Sequence, residues 1–387
     1  MTEQAKVPAI RFAGFTDPWE QRKFGDCFEF LKSNTLSRAG LNGENGTARN
    51  VHYGDILIKF GDCLDGERSD LPFITDDTVL PKFAGSILRE GDVIFADTAE
   101  DEAAGKCVEL RKLPKEPTIS GLHTIPARPR FFFGTGYLGH YLNSDAYHRQ
   151  LLPLMQGIKV ISVSKAALQD TQVRFPGLSE QAAIGAALSE IDNLITLHQR
   201  KYDKLVIFKK SMLEKMFPKD GESVPEIRFA GFTDPWEQRK FSEIVDVCSG
   251  RDYKHLDEGP IPVYGTGGYM TSVSEALSHN RDAIGIGRKG TIDKPYLLKA
   301  PFWTVDTLFY AIPKSDINLE FALCSFLNVD WKSKDESTGL PSLSKESINE
   351  TVLSVPNVVE QNHLGNFFAD LDRLITLHQR KRLWFAK

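Results

Sequence analysis

Hydrophobic residues recur at seven-residue intervals in two stretches of the chain, and this pattern predicts two long helices. In residues 179–217 two such rows, offset by four positions, comprise Ile184, Leu188, Ile191, Ile195, His198, Tyr202 and Leu205. In residues 358–387 the corresponding rows comprise Leu364, Phe368, Leu371, Ile375 and His378. Paired rows of this kind form the a/d seam of a coiled coil. Because each seam is apolar but narrow, we expect each helix to pack against the other.

Two sequence repeats frame these helices. Residues 194–201 (LITLHQRK) return letter for letter at 374–381. Residues 8–24 (PAIRFAGFTDPWEQRKF) return at 225–241 with a single substitution. The second repeat mixes aromatic residues with Gly, Asp and Pro, which indicates a turn-rich packing segment that acts as a structural clasp.

The two regions between the repeats, 25–178 and 242–357, show almost no resemblance to each other. The chain is therefore built from two constant frames that carry two different inserts. In both inserts, short runs of β-branched and aromatic residues are bounded by Gly, Asp or Pro, which is typical of strands. The predicted strands are residues 53–60, 91–95, 130–133, 261–264, 283–286 and 303–312.

These patterns predict an α/β fold of the α+β kind. Two similar domains, each mostly β with short helices, are joined by two long antiparallel helices in a pseudo-two-fold arrangement. The predicted segments are a first domain (1–178), a first helix (179–217), a linker rich in Pro and polar residues (218–224), a second domain (225–357) and a second, shorter helix (358–387).

Composition is that of a globular protein, with 41% hydrophobic residues in 387, enough for two cores. No leader peptide and no run long enough to cross a bilayer is evident, so we expect a cytoplasmic protein. The five cysteines lie far apart without metal-ligand spacing and are expected to be free thiols. A net charge of −5 leaves room for a local basic surface but does not identify a partner.

Two segments match Gly-x-Gly-x-x-Gly, at residues 134–139 and 285–290. A dinucleotide site needs a strand before the motif, a helix after it and an acidic residue about 20 positions further on. Pro295 blocks a long helix after the second match, and Lys159 stands where the first would need a carboxylate. We therefore predict no bound cofactor and no metal at these motifs.

The same glycine-rich segments suit a surface that approaches a nucleic acid closely. Flexible backbone amides, hydroxyls and cations bind phosphate oxygens, and Arg can hold guanine with two hydrogen bonds. The DNA-binding candidates of the second insert are Tyr264, Gly265, Thr266, Gly267, Gly268, Arg288, Lys289 and Thr291. Those of the first insert are Arg128, Arg130, Thr135, Gly136 and Tyr137. Ordinary β-turns with solvated charges remain the alternative.

Two further motifs have no assigned role. Residues 97–102 (DTAEDE) crowd four carboxylates into six positions, and we interpret them as a solvated loop because charge runs usually are. Residues 342–345 (SLSK) echo residues 161–165 (ISVSK) of the first insert. No catalytic constellation, such as a phosphate-binding loop or a nucleophile elbow, is evident.

Taken together, the motifs resemble the specificity subunits of type I restriction-modification enzymes. The resemblance rests on the Pro-x-Ile-Arg-Phe-x-Gly-Phe-x-x-x-Trp openings at 8 and 225, the run 287–314 (GRKGTIDKPYLLKAPFWTVDTLFYAIPK), the SLSK segment and the repeated helix core. It covers nearly the whole chain. The two domains would then be target-recognition domains, each of which contacts one half of an asymmetric, bipartite DNA site.

The resemblance implies a non-catalytic DNA-binding subunit whose helices set the spacer between half-sites. Its implied partners are double-stranded DNA, two adenine-methylating modification subunits and two restriction/translocase subunits. S-adenosylmethionine, ATP and magnesium would be bound by those partners and not by this chain. The alternatives are a stand-alone DNA-binding or competitor protein, a cofactor-dependent enzyme, and a coiled-coil scaffold without a DNA role.

Overall fold

The chain forms two compact units, unit 1 (residues 1–195) and unit 2 (residues 196–387). The structure, a computed structural model, describes residues 8–67, 70–219 and 221–385. Residues 1–7 and 68–69 of the predicted first domain, residue 220 of the predicted linker and residues 386–387 of the predicted second helix lie outside the described part. The boundary between the units falls inside a long helix, so that this helix belongs partly to each.

Unit 1 is mostly β with short helices. Its strands are β1 (Glu20–Lys23), β2 (Phe28–Phe30), β3 (Leu41–Asn42), β4 (Arg49–Val51), β5 (Cys63–Asp65), β6 (Phe73–Ile74), β7 (Val93–Ala96), β8 (Thr98–Ala99), β9 (Cys107–Arg111), β10 (Thr118–Ser120), β11 (Thr124–Pro129), β12 (Ile161–Ser162) and β13 (Gln172–Phe175). Its helices are α1 (Phe24–Cys27), α2 (Tyr53–Ile58), α3 (Tyr137–Asn143), α4 (Asp145–His148), α5 (Lys165–Gln169) and the long α6 (Leu178–Lys215). Short 3-10 segments are Arg38–Gly40, Asp77–Ser86 and Leu152–Leu154.

The central sheet of unit 1 has the strand order β2-β11-β7-β9-β5 and is antiparallel except between β5 and β9. Alternate residues of β7 point to opposite faces. Val93 and Phe95 pack on a core that includes Tyr137 of α3, whereas Ile94 joins a second core with Ile56 of α2. Both faces of this sheet are therefore buried. A smaller sheet (β10-β4-β6-β3) and the ribbons β1-β13 and β12-β8 complete the unit.

Unit 2 repeats this style. Its strands are β14 (Glu237–Lys240), β15 (Val245–Ser249), β16 (Ile261–Gly265), β17 (Gly268–Val273), β18 (Ala283–Gly287), β19 (Tyr296–Leu298), β20 (Trp303–Thr304), β21 (Leu308–Pro313) and β22 (Val352–Val355). Its helices are α7 (Phe241–Ile244), α8 (Leu319–Asn328), α9 (Lys345–Glu350) and α10 (Val358–Phe385), with a 3-10 segment at Trp331–Lys334. The sheets are β15-β21-β18-β19, β17-β16-β20 and β14-β22.

The two units share a topology although the sequences of their inserts are unlike. The order β15-β21-β18-β19 in unit 2 matches β2-β11-β7-β9 in unit 1, and β14-β22 matches β1-β13. A short helix precedes the first strand of each central sheet, and another precedes the strand that leads into each long helix. The prediction of two similar α+β domains with long helices is confirmed.

The repeated opening block makes the same contact in both units. Arg11 donates two hydrogen bonds of 2.6 Å to the carboxylate of Glu180, near the start of α6. Arg228 donates bonds of 2.7 and 2.8 Å to Glu360, near the start of α10. Both carboxylates are buried, and paired bonds from one guanidinium are among the stronger protein contacts. The predicted clasp thus fixes each block to the helix that ends its insert.

Helix starts were predicted better than short strands. α6 begins at Leu178, one residue before the predicted start, and α10 begins at Val358 as predicted. Asn357 caps α10 by accepting a 3.0 Å bond from the Glu360 amide. The predicted strand 53–60 is wrong, because α2 begins there with His52 as its cap. Residues 130–133 also form no strand. Short apolar runs are ambiguous between helix and strand, and tertiary packing decides them.

Candidate nucleic-acid interface

One group of predicted DNA-binding residues in unit 2 lies in the tight turn between β16 and β17. At Gly267 and Gly268 the space where a side chain would extend is open, and Gly268 has φ of +106°, which favours glycine. The carbonyl of Gly265 accepts a 2.6 Å bond from the hydroxyl of Tyr296, which anchors the turn to β19. Thr266 is half-buried, and Tyr269 beyond it is 64% exposed. The turn therefore offers backbone amides and an aromatic ring to a partner.

A second group lies in the loop between β18 and β19. Arg288 and Lys289 are exposed, and Thr291 is half-buried. The Arg288 amide donates to the Thr307 carbonyl at 2.8 Å, while the Val305 amide donates to the carbonyl of Tyr264 at 3.0 Å. One short segment, residues 305–307, therefore contacts both groups and brings them to the same edge of unit 2.

A cleft of about 380 Å³ opens beside Arg288. Its lining comprises Ser249, Arg288, Lys289, Phe309, Glu336, Ser342, Leu343, Ser344 and Lys345. The Arg288 guanidinium lies 5.8 Å and the Lys345 ammonium 5.9 Å from the centre of the Phe309 ring. The carboxylate of Glu336 accepts a 2.8 Å bond from the Ser344 hydroxyl. Three cations and several hydroxyls at one edge suit phosphate oxygens, and an exposed guanidinium suits a guanine edge.

The structure separates the predicted DNA-binding residues of unit 1. Arg130 and Thr135 are exposed. Arg128 is held by a two-bond ion pair, 2.9 and 2.7 Å, to the buried carboxylate of Asp92. Gly136 and Tyr137 are buried at the start of α3, where the Tyr137 hydroxyl donates to a backbone carbonyl. This segment thus leads into a core helix and is not equivalent to the β18–β19 loop of unit 2.

The first Gly-x-Gly-x-x-Gly match is explained by close packing. A side chain at Gly134 would lie 2.7 Å from Gln181 of α6, and one at Gly139 would collide with the carbonyl of Asp62. The amides of Gly136 and Gly139 donate to the carboxylate of Glu109 at 2.5 and 2.9 Å. Burial raises the pKa of Glu109.

The second match lies within β18 and the loop after it, where a side chain at Gly287 would collide with the backbone of Thr291. A dinucleotide site would instead need a turn that opens a helix. Among the described residues, no three His, Cys, Asp or Glu side chains form a group suited to a metal ion.

The recurring Ser-x-Ser-Lys segment occupies the same position in both units. Ser164 caps α5 and Ser344 caps α9, each by accepting a bond from a backbone amide. The lysine that follows lies 5.9 Å from an aromatic ring in both cases, Lys165 beside Phe30 and Lys345 beside a ring of β21. The likeness of the two segments is visible in the sequence, but their shared position is visible only in the structure. The recurrence of the Ser-x-Ser-Lys segment in two otherwise unlike inserts was the sequence signal that could have indicated this shared position.

Within unit 2, the part of α6 that follows residue 195 packs along α10. The Nδ1 atoms of His198 and His378 are 2.8 Å apart, and Lys209 donates bonds of 2.7 and 2.8 Å to the carboxylate of Asp372. Burial lowers the pKa of His378, with the neighbouring His198 and two lysines acting in the same direction. The predicted packing of the two repeated helices is thus confirmed for this segment.

Most of the predicted pairing residues are buried or half-buried. In unit 2 these are His198, Tyr202, Leu205, Leu364, Phe368, Leu371, Ile375 and His378. In unit 1, Ile184, Ile191 and Ile195 are half-buried, and Ile184 packs against the core. Leu188 is 36% exposed.

Both copies of the LITLHQRK segment expose the same side chains in unit 2. The exposed residues are Thr196, Leu197, Arg200 and Lys201 in the first copy, and Thr376, Leu377, Arg380 and Lys381 in the second. Identical exposed residues give two chemically similar surfaces. In the described part of the chain, the helices are all too short or too polar to span a membrane.

Comparison with known proteins supports the resemblance found in the sequence. Residues 233–383 match the model of the type I restriction modification DNA specificity domain. This match covers most of unit 2, and for that part of the chain the resemblance is confirmed.

One relative is similar to this chain over a longer stretch. The type I restriction enzyme MjaVIII specificity subunit of Methanocaldococcus jannaschii is 30% identical over 268 residues, which are 59% of this chain and 61% of that protein. The chain therefore matches about three fifths of the length of that relative.

Solved structures share the fold across both units. The S subunit of a type I restriction-modification system from M. genitalium superposes with a TM-score of 0.62 over 99% of this chain and 96% of its own, at 16% identity. A chain from a structure of type I R-M complex assembly and conformational transition gives 0.52 over 98% and 95%, at 15% identity. At these identities the likeness concerns the fold alone.

Proposed function

We propose that this chain is the non-catalytic DNA-recognition subunit of a type I restriction-modification complex, and that each unit contacts one half of an asymmetric, bipartite site. The observation that carries the proposal is a shared topology with unlike surfaces. The clasps, central sheets and Ser-x-Ser-Lys segments recur, whereas the hairpin loops after β7 and β18 differ completely in sequence. Repeated frames with different loops suit two different half-sites.

The proposal includes the partners. The identical exposed residues of the two LITLHQRK copies support docking of two copies of one subunit, which we propose to be the modification subunit that methylates adenine. Two restriction/translocase subunits would complete the complex. S-adenosylmethionine, ATP and magnesium are proposed to bind in those partners.

A further part of the proposal is that the long helices set the spacer between the half-sites. α6 has 38 residues. At about 1.5 Å per residue such a helix exceeds one turn of duplex DNA, about 34 Å, in length. Half-site separation then depends on helix length.

The test is sequence-dependent retardation of duplex DNA by the full chain, with Arg288→Ala as the key variant. We expect this variant to lose about 1–3 kcal/mol of discrimination at one base pair. Arg281→Ala is the matched control, because Arg281 is an exposed arginine at the opposite end of β18. The control should retain the wild-type preference.

A uniform loss across all sequences would mark Arg288 as a phosphate contact. No sequence preference in the wild-type chain would contradict the proposal. Retention of the preference without co-purification of a modification subunit would instead favour a stand-alone DNA-binding protein.

A further inference from the structure

The backbone around Arg288 defines a position that can be located in unit 1. Arg288 directly follows β18, its amide donates to the carbonyl of Thr307 at 2.8 Å, and its carbonyl accepts from the amide of Leu343 at 2.9 Å. Leu343 is the second residue of the Ser-x-Ser-Lys segment of unit 2. The end of β18 and these two backbone hydrogen bonds thus fix the backbone position of Arg288.

Asp97 has the same environment in unit 1. It directly follows β7, its amide donates to the carbonyl of His123 at 3.0 Å, and its carbonyl accepts from the amide of Val163 at 2.8 Å. Val163 is the second residue of the Ser-x-Ser-Lys segment of unit 1. Because β7 and β18 hold the same place in matching sheets, Asp97 is the structural counterpart of Arg288.

The carboxylate of Asp97 is held in one orientation by its neighbours and can still accept hydrogen bonds. Its Oδ1 atom accepts a 2.7 Å bond from the Thr98 hydroxyl and lies 3.3 Å from Nδ1 of His123. His123 has a positive φ of +54°. Its imidazole ring packs edge-on against the Tyr53 ring, with the two ring centroids 5.4 Å apart. The Oδ2 atom makes no hydrogen bond to the described part of the chain, and the side chain is 27% exposed. A carboxylate offers about four acceptor positions, so it can take another donor.

The rest of the acidic loop is held separately. The carbonyl of Glu102 is 2.8 Å from Nε2 of His148, and Gly105 packs beside Leu151. The residues after Thr98–Ala99 therefore fold onto the α4 region, while Asp97 stays beside the Ser-x-Ser-Lys segment. Lys165, the cation of that segment, lies two residues after Val163 and is exposed. Such a cation suits a phosphate next to the base that the carboxylate would contact.

On the basis of the proposed function, we propose that Asp97 is a specificity-determining residue of unit 1 that accepts a hydrogen bond from a base amino group. In the major groove such donors are the N4 amino group of cytosine and the N6 amino group of adenine, whereas Arg at the equivalent place in unit 2 donates to guanine. The two units then differ by exchanging a donor for an acceptor at one position. The acidic segment 97–102, expected from its charges to be a solvated loop, thus begins with a base contact.

The experiment is selection of duplexes with randomised half-sites by the full-length chain. Asp97→Ala removes both acceptor oxygens of the side chain, whereas an asparagine would keep one. We expect it to lower the preference for the amino-bearing base by about tenfold to hundredfold at one position of one half-site. The other half-site should be unchanged. Glu100→Ala, which removes an exposed carboxylate of the same loop, is the matched control and should leave both half-sites unaltered.

An unchanged base preference in Asp97→Ala would overturn the inference, and so would an equal loss in Glu100→Ala. Should Asp97→Ala fail to fold, as judged by circular dichroism, Asp97→Glu replaces it. That variant keeps the acceptor, so it should keep the base preference, and a switch to another base would contradict the inference. If the wild type selects no sequence, the proposed function fails. If Arg288→Ala alters one half-site while Asp97→Ala alters none, only the inference fails.

Discussion

The starts of α6 and α10 are equivalent segments whose side chains are buried to different extents. Phe368 of α10 is 1% exposed, whereas Leu188, at the same distance from the start of α6, is 36% exposed. The repeated tryptophans show the same difference between the units: Trp236 is 3% exposed, whereas Trp19 is only half-buried. Sequence repetition therefore does not ensure equal burial.

The difference has a local cause in unit 2. The Phe217 ring, just after α6, lies 5.8 Å from that of Trp236 and 6.2 Å from that of Phe368, and Met216 joins the same core. In unit 1, Trp19 contacts Tyr137 at 6.2 Å. Because the end of α6 adds apolar side chains to the core of unit 2, we expect the repeated segments of unit 2 to contribute more to stability than those of unit 1.

The largest expected effect is at the buried helix position. Phe368→Ala should lower the free energy of unfolding of unit 2 by about 3–5 kcal/mol, because it removes a fully buried ring and leaves a cavity. Leu188→Ala, its counterpart, should cost about 1 kcal/mol or less, as is usual for exposed positions. Calorimetric unfolding of both variants checks this, and equal losses would show that the burial difference has no energetic consequence.

A smaller effect, equal in both units, is expected at the clasps. Arg11→Ala and Arg228→Ala each leave a buried carboxylate without its guanidinium partner, which is destabilising. Because the geometry of the two ion pairs is nearly the same, the two variants should lower the melting temperature of their own unit to a similar degree. A large effect in only one unit would contradict the equivalence of the clasps.

The smallest effect is expected in the pH dependence of the stability of unit 2. Burial lowers the pKa of His378 and that of His198, so the unfolded chain binds protons more readily than the folded one. The stability contributed by the neutral pair is complete above the unfolded pKa of about 6.5 and is lost as the pH falls below it.

The variant His378→Asn tests this contribution. Melting temperatures measured between pH 7 and pH 5 should fall by a few degrees less in this variant than in the wild type. An unchanged pH dependence would assign the effect to other groups.

Part of the candidate interface could be predicted from the sequence. The turn at residues 264–268 and Arg288 were predicted from their residue types, and the structure brings them to one edge of unit 2. Tyr137 was predicted at a DNA surface but lies in the core, because a Gly-x-Gly segment serves equally for a binding loop and for close helix packing. Asp97 was missed because its equivalence to Arg288 is carried by backbone hydrogen bonds, which side-chain identity does not encode.

By itself, the sequence determined the duplicated frame and the two long helices, since these depend on repeats and on periodicity along the chain, and its motifs carried the resemblance to a known family. Tertiary structure alone decided which side chains of the repeats are buried, how the two inserts correspond strand by strand, and which residue of unit 1 takes the place of Arg288. The physical reason is that burial and backbone pairing join residues far apart in the chain, such as Asp97 and Val163, whose proximity no local pattern records.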